Sequence, residues 1–209
     1  PYRADPAYGG PEYETLGAFG SLCNVGDLKA IARANHLCGA YTIDTISTGT
    51  TIAFAMECFE KGILTTQDTG GIPLEFGNAD AMVQMVELIG KREGFGNLLA
   101  EGAKIAAERI GKGAERYAMH TKGQPLPLHE PRGKTGLGLA YALSPTGADH
   151  IEGPHDPVFE SEGGMKFVRS LGIVEPVPAL DLGPRKVRLF LYLQHLYNFF
   201  NSIGVCNFV

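Results

Sequence analysis

Two carboxylates, Glu12 and Glu14, flank Tyr13 near the start of the chain. In an extended segment they face opposite ways, so at most one points into a cleft. A buried carboxylate whose pKa rises toward neutral can remove or relay a proton. Far downstream, His150 and His155 stand in Ser144-Pro145-Thr146-Gly147-Ala148-Asp149-His150-Ile151-Glu152-Gly153-Pro154-His155-Asp156. Histidine exchanges protons near neutral pH, which suits it to acid–base work. A helical His-Glu-x-x-His zinc site does not fit this stretch, which is too rich in proline and glycine. Glu130 and Arg132 are placed to pair, a structural role. The four cysteines, Cys23, Cys38, Cys58 and Cys206, form no Cys-x-x-Cys pair. Such scattered thiols read as buried small hydrophobes rather than a disulfide framework, and point to a reducing cytoplasm.

The elements that must position these residues are mostly helical. Asp27 can cap a helix carrying Leu28, Ile31, Ala34 and Leu37. Asp44 stands where the next should begin, with Ile52, Phe54, Met56 and Phe59 inside and Gly62 as its stop. Asn78 or Asp80 caps a third through Leu88, and Asn97 opens a fourth that ends near Gly111. From Gly123 to about 160, prolines and glycines crowd together without sustained periodicity. Interleaved leucines there predict an ordered, functional loop system. Helix returns at Pro184 and runs through Leu189, Leu193, Leu196 and Phe199. The fold class predicted is mainly α and multihelical, with a seam near residue 120.

With 209 residues the chain can bury a sizeable core, and a 20% charged fraction is ordinary for a globular protein. The net charge of −5, without a long basic run, argues against nucleic acid as the main partner. Val187 to Val209 is broken by Arg188, Gln194, His195, Asn198 and Asn201, so no membrane span is expected.

Three stretches in order carry a more specific signal: Gly10-Pro11-Glu12-Tyr13-Glu14, then Gly39-Ala40-Tyr41-Thr42-Ile43-Asp44, and finally Asn201-Ser202-Ile203-Gly204-Val205-Cys206. Together with Lys91-Arg92-Glu93-Gly94-Phe95-Gly96 and Leu99-Ala100-Glu101-Gly102, they resemble the carboxy-terminal domains of the aldehyde:ferredoxin oxidoreductase family. The family typically shows Asp-x-x-Gly-Leu-Asp or Cys in the second and third stretches. Here Gly39 replaces the first Asp, Thr42 replaces the Gly, and Asn201 keeps an acceptor without the charge. Leu128-His129-Glu130-Pro131-Arg132-Gly133 resembles the family's Asp-Pro-Arg-Gly segment.

The resemblance implies a tungsten- or molybdenum-bis-pterin enzyme with a [4Fe–4S] cluster, oxidising aldehydes to carboxylic acids and passing electrons to ferredoxin or a similar carrier. It makes Glu14 and His150 the catalytic proton handlers. It makes Ile43, Asp44, Asn201 and Asn207 cofactor contacts, and Cys206 one cluster ligand, since such clusters are held by thiolates. The other three ligands would belong to a Cys-x-x-Cys-x-x-x-Cys group before Pro1. The chain is thus expected to be part of an enzyme, inactive alone: residues 1–120 as the family's second domain, 121–209 as the start of its third, and the amino-terminal cofactor domain absent. Relatives that reduce aromatic acyl thioesters leave a benzoyl-CoA-type reduction open, as Glu152, His155 and Asp156 beside His150 also do. Glu152 falls where some members carry a lysine near the cofactor. A non-catalytic helical module or cofactorless paralogue is a further alternative. Family homodimers can be bridged by a metal on Glu-x-x-His. Arg33 and His36 occupy that place, and arginine is not a ligand, so no bridging metal is expected there.

Overall fold

The computed structural model describes residues 2–206 and is mainly α. Its backbone divides into two compact units, one ending at Leu128 and the other beginning at His129.

In the first unit, α1 (Tyr13–Leu16) runs directly into a π-helical turn, Gly17–Leu22. Helices α2 (Leu28–Tyr41), α3 (Thr45–Glu60) and α4 (Ala79–Lys91) come next, then the short α5 (Gly94–Leu99) and α6 (Ala103–Ile110). A small antiparallel hairpin, β1 (His120–Thr121) with β2 (Gln124–Pro125), pairs His120 with Pro125. The polar residues that open the helices do so as the sequence predicts. Asp27 accepts from the Lys29 and Ala30 N–H groups, and Asp44 Oδ2 from Ser47 N–H at 2.6 Å. Asn78, not Asp80, caps α4, accepting from Ala81 N–H at 3.0 Å. Each bond satisfies a first-turn donor that has no partner within the helix. Phe19, Ile52, Met56, Met82 and Met85 form the centre of the core. A Cβ on Gly49 would lie 2.7 Å from Ala18 Cβ, so glycine is what lets α3 approach the π turn.

The second unit holds α7 (Thr135–Leu143), α8 (Glu162–Met165) and α9 (Pro184–Ile203), with a 3-10 turn at Asp156–Glu160. Phe159, Met165, Val168, Leu189 and Leu193 make its apolar core. Beside it lies a buried ion pair, Lys186 with Asp156, at 2% and 0% exposure. Asp156 also accepts from the Gly136 and Leu137 N–H groups, both at 3.1 Å, and so caps α7 from a distance in sequence. Thr135 joins the same scaffold by donating to the Ala179 and Asp181 carbonyls.

Three local expectations change. The fourth helix is two helices, because Gly102 at φ +84° breaks it, and Asn97 lies inside α5 rather than at a start. The Pro/Gly-rich stretch contains α7, whose Leu137, Ala140 and Tyr141 are buried at helical spacing. Glu12 precedes α1 while Glu14 lies within it, so the two are separated by burial rather than by strand alternation.

Candidate functional site

The candidate residues fall into two groups, one in each unit. In the first, the ends of helices converge. Tyr41 is the last residue of α2; Thr42 comes after it at φ 58°, ψ 45°, and Ile43 N–H donates to the Cys38 carbonyl at 2.9 Å. This closes α2 with the paired hydrogen bonds of a Schellman end. Asp44 comes next and starts α3. Helix α4 closes in the same way at Arg92, φ 56°, with Glu93 N–H donating to the Leu88 carbonyl at 3.0 Å. Between these ends lies a cleft of about 430 Å³ lined by Tyr41, Ile43, Asp44, Ser47, Thr48, Gly90 and Arg92, with Leu99 and Gly102 on the far side.

The cleft has a defined polarity. The last turns of α2 and α4 carry partial negative charge, and Asp44 adds a carboxylate whose Oδ1 takes no part in the helix cap. Arg92 is exposed, its guanidinium paired with Glu101 and its Nε donating to Asn97 Oδ1 at 3.1 Å. Such a wall suits a planar ligand with an edge of N–H donors, since a carboxylate accepts two such bonds side by side.

Glu14 lies in the same unit, 6% exposed, with Oε2 accepting from Leu128 N–H at 3.0 Å. The adjoining residues join its segment to that of Asp44: the Thr15 and Thr45 hydroxyls are 2.7 Å apart. The three cysteines of this unit are buried. Desolvation pushes the thiols of Cys23 and Cys38 up to about 12 and that of Cys58 up to about 11. They are held as thiols, not as the thiolates that bind metal or attack carbon.

In the second unit His150 is half-buried among other imidazoles. Its ring centroid is 5.1 Å from that of His129 and 5.9 Å from that of His155; His129 and His155 are 4.6 Å apart. Lys134 Nζ lies 2.7 Å from His129 Nδ1, and an ammonium can only donate, which puts that ring's proton on Nε2. His155 Nε2 donates to the His150 carbonyl at 3.1 Å. Burial, then the neighbouring His129, Lys134 and His150, lower the His155 pKa to about 4, so this ring is neutral near pH 7. Asp156, expected beside a substrate, is instead consumed by Lys186 and by the start of α7.

Asn201 lies exposed in the last turn of α9, and Gly204 stands just past its end at φ 71°. Val205 N–H donates to the Phe200 carbonyl at 3.0 Å, the same end as that of α2. Cys206 is exposed with a free thiol. It is one sulfur where a cluster needs four ligands, and the remaining three cysteines are buried elsewhere. Asn207 lies outside the described residues. The structure therefore brings Ile43 and Asp44 into one cleft and ties Glu14 to their segment. Tyr41, Thr48 and Gly90 also line this cleft; Tyr41 and Gly90 meet only through the packing of α2 on α4, which local sequence does not show. His129 was legible only as part of a structural segment. Arg132 and Glu130 form an exposed pair at 2.8 Å. His36, in turn, accepts from Asp5 N–H at 2.7 Å and packs against the Tyr8 ring.

A mainly α protein whose helix ends bound a polar cleft is the class that these features define. The family model described as aldehyde ferredoxin oxidoreductase, domains 2 and 3, matches residues 1–209, and the chain belongs to that family. It is 38% identical over 202 residues to the tungsten-containing aldehyde ferredoxin oxidoreductase of Pyrococcus abyssi (strain GE5 / Orsay). It is equally identical, over the same length, to the enzyme of that name from Pyrococcus horikoshii. Each alignment covers 95% of this chain and 31% of the relative, so the chain spans about a third of their length. Among solved structures it is similar to the active-site complex BamBC of benzoyl coenzyme A reductase with 1,5-dienoyl-CoA. That likeness has a TM-score of 0.54 and 30% identity, over 68% of this chain and 22% of the other.

Proposed function

We propose that this chain is the helical, cofactor-gripping part of a tungsten- or molybdenum-pterin oxidoreductase that oxidises aldehydes to carboxylic acids. The observation that carries the reading is the cleft in which Asp44 lies between the ends of α2 and α4. A pterin presents a guanidine-like edge of N–H donors, and Asp44 with the negative helix ends matches it. The residues present thus fit that group. The metal–pterin cofactor, when bound, supplies two-electron redox chemistry, and a [4Fe–4S] cluster passes electrons on singly.

This chain's own residues then have distinct tasks. Asp44, with the backbone of Ile43, holds the pterin edge, and Asn201 offers a second, uncharged acceptor. Cys206 contributes one thiolate to the cluster, whose other ligands lie outside this chain. Oxidation of an aldehyde takes oxygen from water and releases two electrons and two protons. Glu14 and His150 take up and pass on those protons, one a buried carboxylate and the other an imidazole with a near-neutral intrinsic pKa. Ferredoxin or a similar carrier receives the electrons, and the parent protein works in the cytoplasm, as a homodimer.

A second reading, reduction of an aromatic acyl thioester, draws on the similarity to the benzoyl coenzyme A reductase complex. Elemental analysis of the parent protein, purified without oxygen, tests both against a cofactorless paralogue. Tungsten or molybdenum with about four irons per chain is the expected result; no metal at all would overturn it. Assays with an aldehyde and with an aromatic acyl thioester then separate the two chemistries.

A further inference from the structure

Thr42 raises a question that the cleft answers. It is β-branched yet sits in the left-handed region, φ 58°, a conformation such side chains resist. It is also the hinge between α2 and Asp44, so any relaxation of this residue would swing the carboxylate. Something must hold the turn in place. On one side Ile43 packs against the apolar core. On the other, the ring of Tyr41 lies against α4 where Gly90 leaves the backbone bare. A Cβ on Gly90 would lie 2.2 Å from Tyr41 Cδ2 and 2.4 Å from Cγ, closer than atoms can approach. Glycine within a helix is disfavoured, and its presence in the last turn of α4 is accounted for by this seat. Tyr41, Gly90, Ile43 and Asp44 all line the same cleft.

We infer that Tyr41, seated on the bare backbone of Gly90, is the positioning residue of this cleft: it fixes the Thr42–Asp44 turn and presents a flat wall to a planar ligand. The inference rests on the cofactor reading of the cleft. An aromatic face beside a carboxylate is a selective combination, because the ring accepts any flat heterocycle while the carboxylate demands N–H donors on its edge.

The test uses the full-length parent protein, produced anaerobically with tungstate. Two readouts are needed: pterin and tungsten per chain, and hydrogen exchange of the backbone amides at 43–47. Gly90→Ala should unseat the ring, raising exchange there by about tenfold and lowering pterin content by a similar factor. Tyr41→Leu, which leaves α4 untouched, should do the same and guards against a Gly90→Ala protein that does not fold. Tyr41→Phe keeps the ring and should match the wild type. Unchanged exchange in both Gly90→Ala and Tyr41→Leu would overturn the positioning role. Faster exchange with full pterin, where Asp44→Ala alone loses it, would overturn the link between seat and ligand. Faster exchange with pterin retained even in Asp44→Ala would uphold the seat and remove the cofactor reading of the cleft.

Discussion

Helices α2 and α9 end on the same pair of hydrogen bonds, yet by different means. At α2 the left-handed residue is Thr42; at α9 it is Gly204. The residue after it is Ile43, packed on the core, in the first case, and Val205, 42% exposed, in the second. One position further on, Asp44 is locked as the cap of α3, whereas Cys206 is exposed with a free thiol. The contrast teaches that a strained residue is tolerated where neighbours fix the turn from both sides. At the exposed end of α9 glycine takes the left-handed position without strain, although the exposed Arg92 and Lys112 show that other residues adopt it too. The units around the two ends differ likewise, the first built on a large apolar core and the second leaning on a buried ion pair.

That last difference gives the largest effect. Lys186→Met strips Asp156 of its partner and should cost the second unit about 3–5 kcal/mol, because an uncompensated charge stays buried. Hydrogen exchange should show the loss in residues 129–206, with the first unit unchanged; a uniform loss would erase the contrast.

Acid should sharpen it further. The folded pKa of His155 is about 4, below its ordinary value of 6.5. Between those values the unfolded chain binds the extra proton, so folded stability falls as pH drops from 6.5 through 4. Allowing for solvent screening of this partly exposed ring, the change is on the order of 1–2 kcal/mol. Denaturant midpoints at pH 7 and pH 4.5 would measure it, and His155→Gln should flatten the dependence.

Exchanging the two left-handed residues tests the comparison directly. Gly204→Thr should loosen the end of α9 by about 1–2 kcal/mol, the cost of a left-handed non-glycine residue. Thr42→Gly should relieve the same strain but free the unfolded chain, for a net gain of about 0.5 kcal/mol. Equal and opposite effects would mean that the neighbours of Thr42 hold nothing. Asp44→Ala should cost about 1 kcal/mol for a lost helix cap. Its effect on retained pterin should be much greater than that on the melting midpoint.

Much of the fold was legible in the sequence. Asp27, Asp44 and Asn78 could be read as caps because a cap acts on amides two or three residues away, within reach of local sequence. The α2, α3 and α4 faces came from apolar residues recurring at helical spacing. The order of three short stretches was enough to resemble a family, and the match to residues 1–209 bears out that resemblance. The break at Gly102 was missed because a lone glycine in a helical pattern is ambiguous without its φ. Helix α7 was missed because its opening amides are satisfied by Asp156, a residue some twenty positions downstream.

The sequence by itself determined whatever depends on neighbours along the chain: helix faces, caps and the family pattern. The tertiary structure alone decided which polar groups line a cleft and which are consumed by internal partners. Asp156 beside a histidine looks like a substrate contact and proves to be a buried counter-ion. Tyr41 and Gly90, forty-nine positions apart, look like ordinary helix residues and prove to be ring and seat of one cleft. The physical reason is common to all of these. Burial and packing set the energy of a charge or a ring, and they are fixed by residues that meet only after the chain has folded.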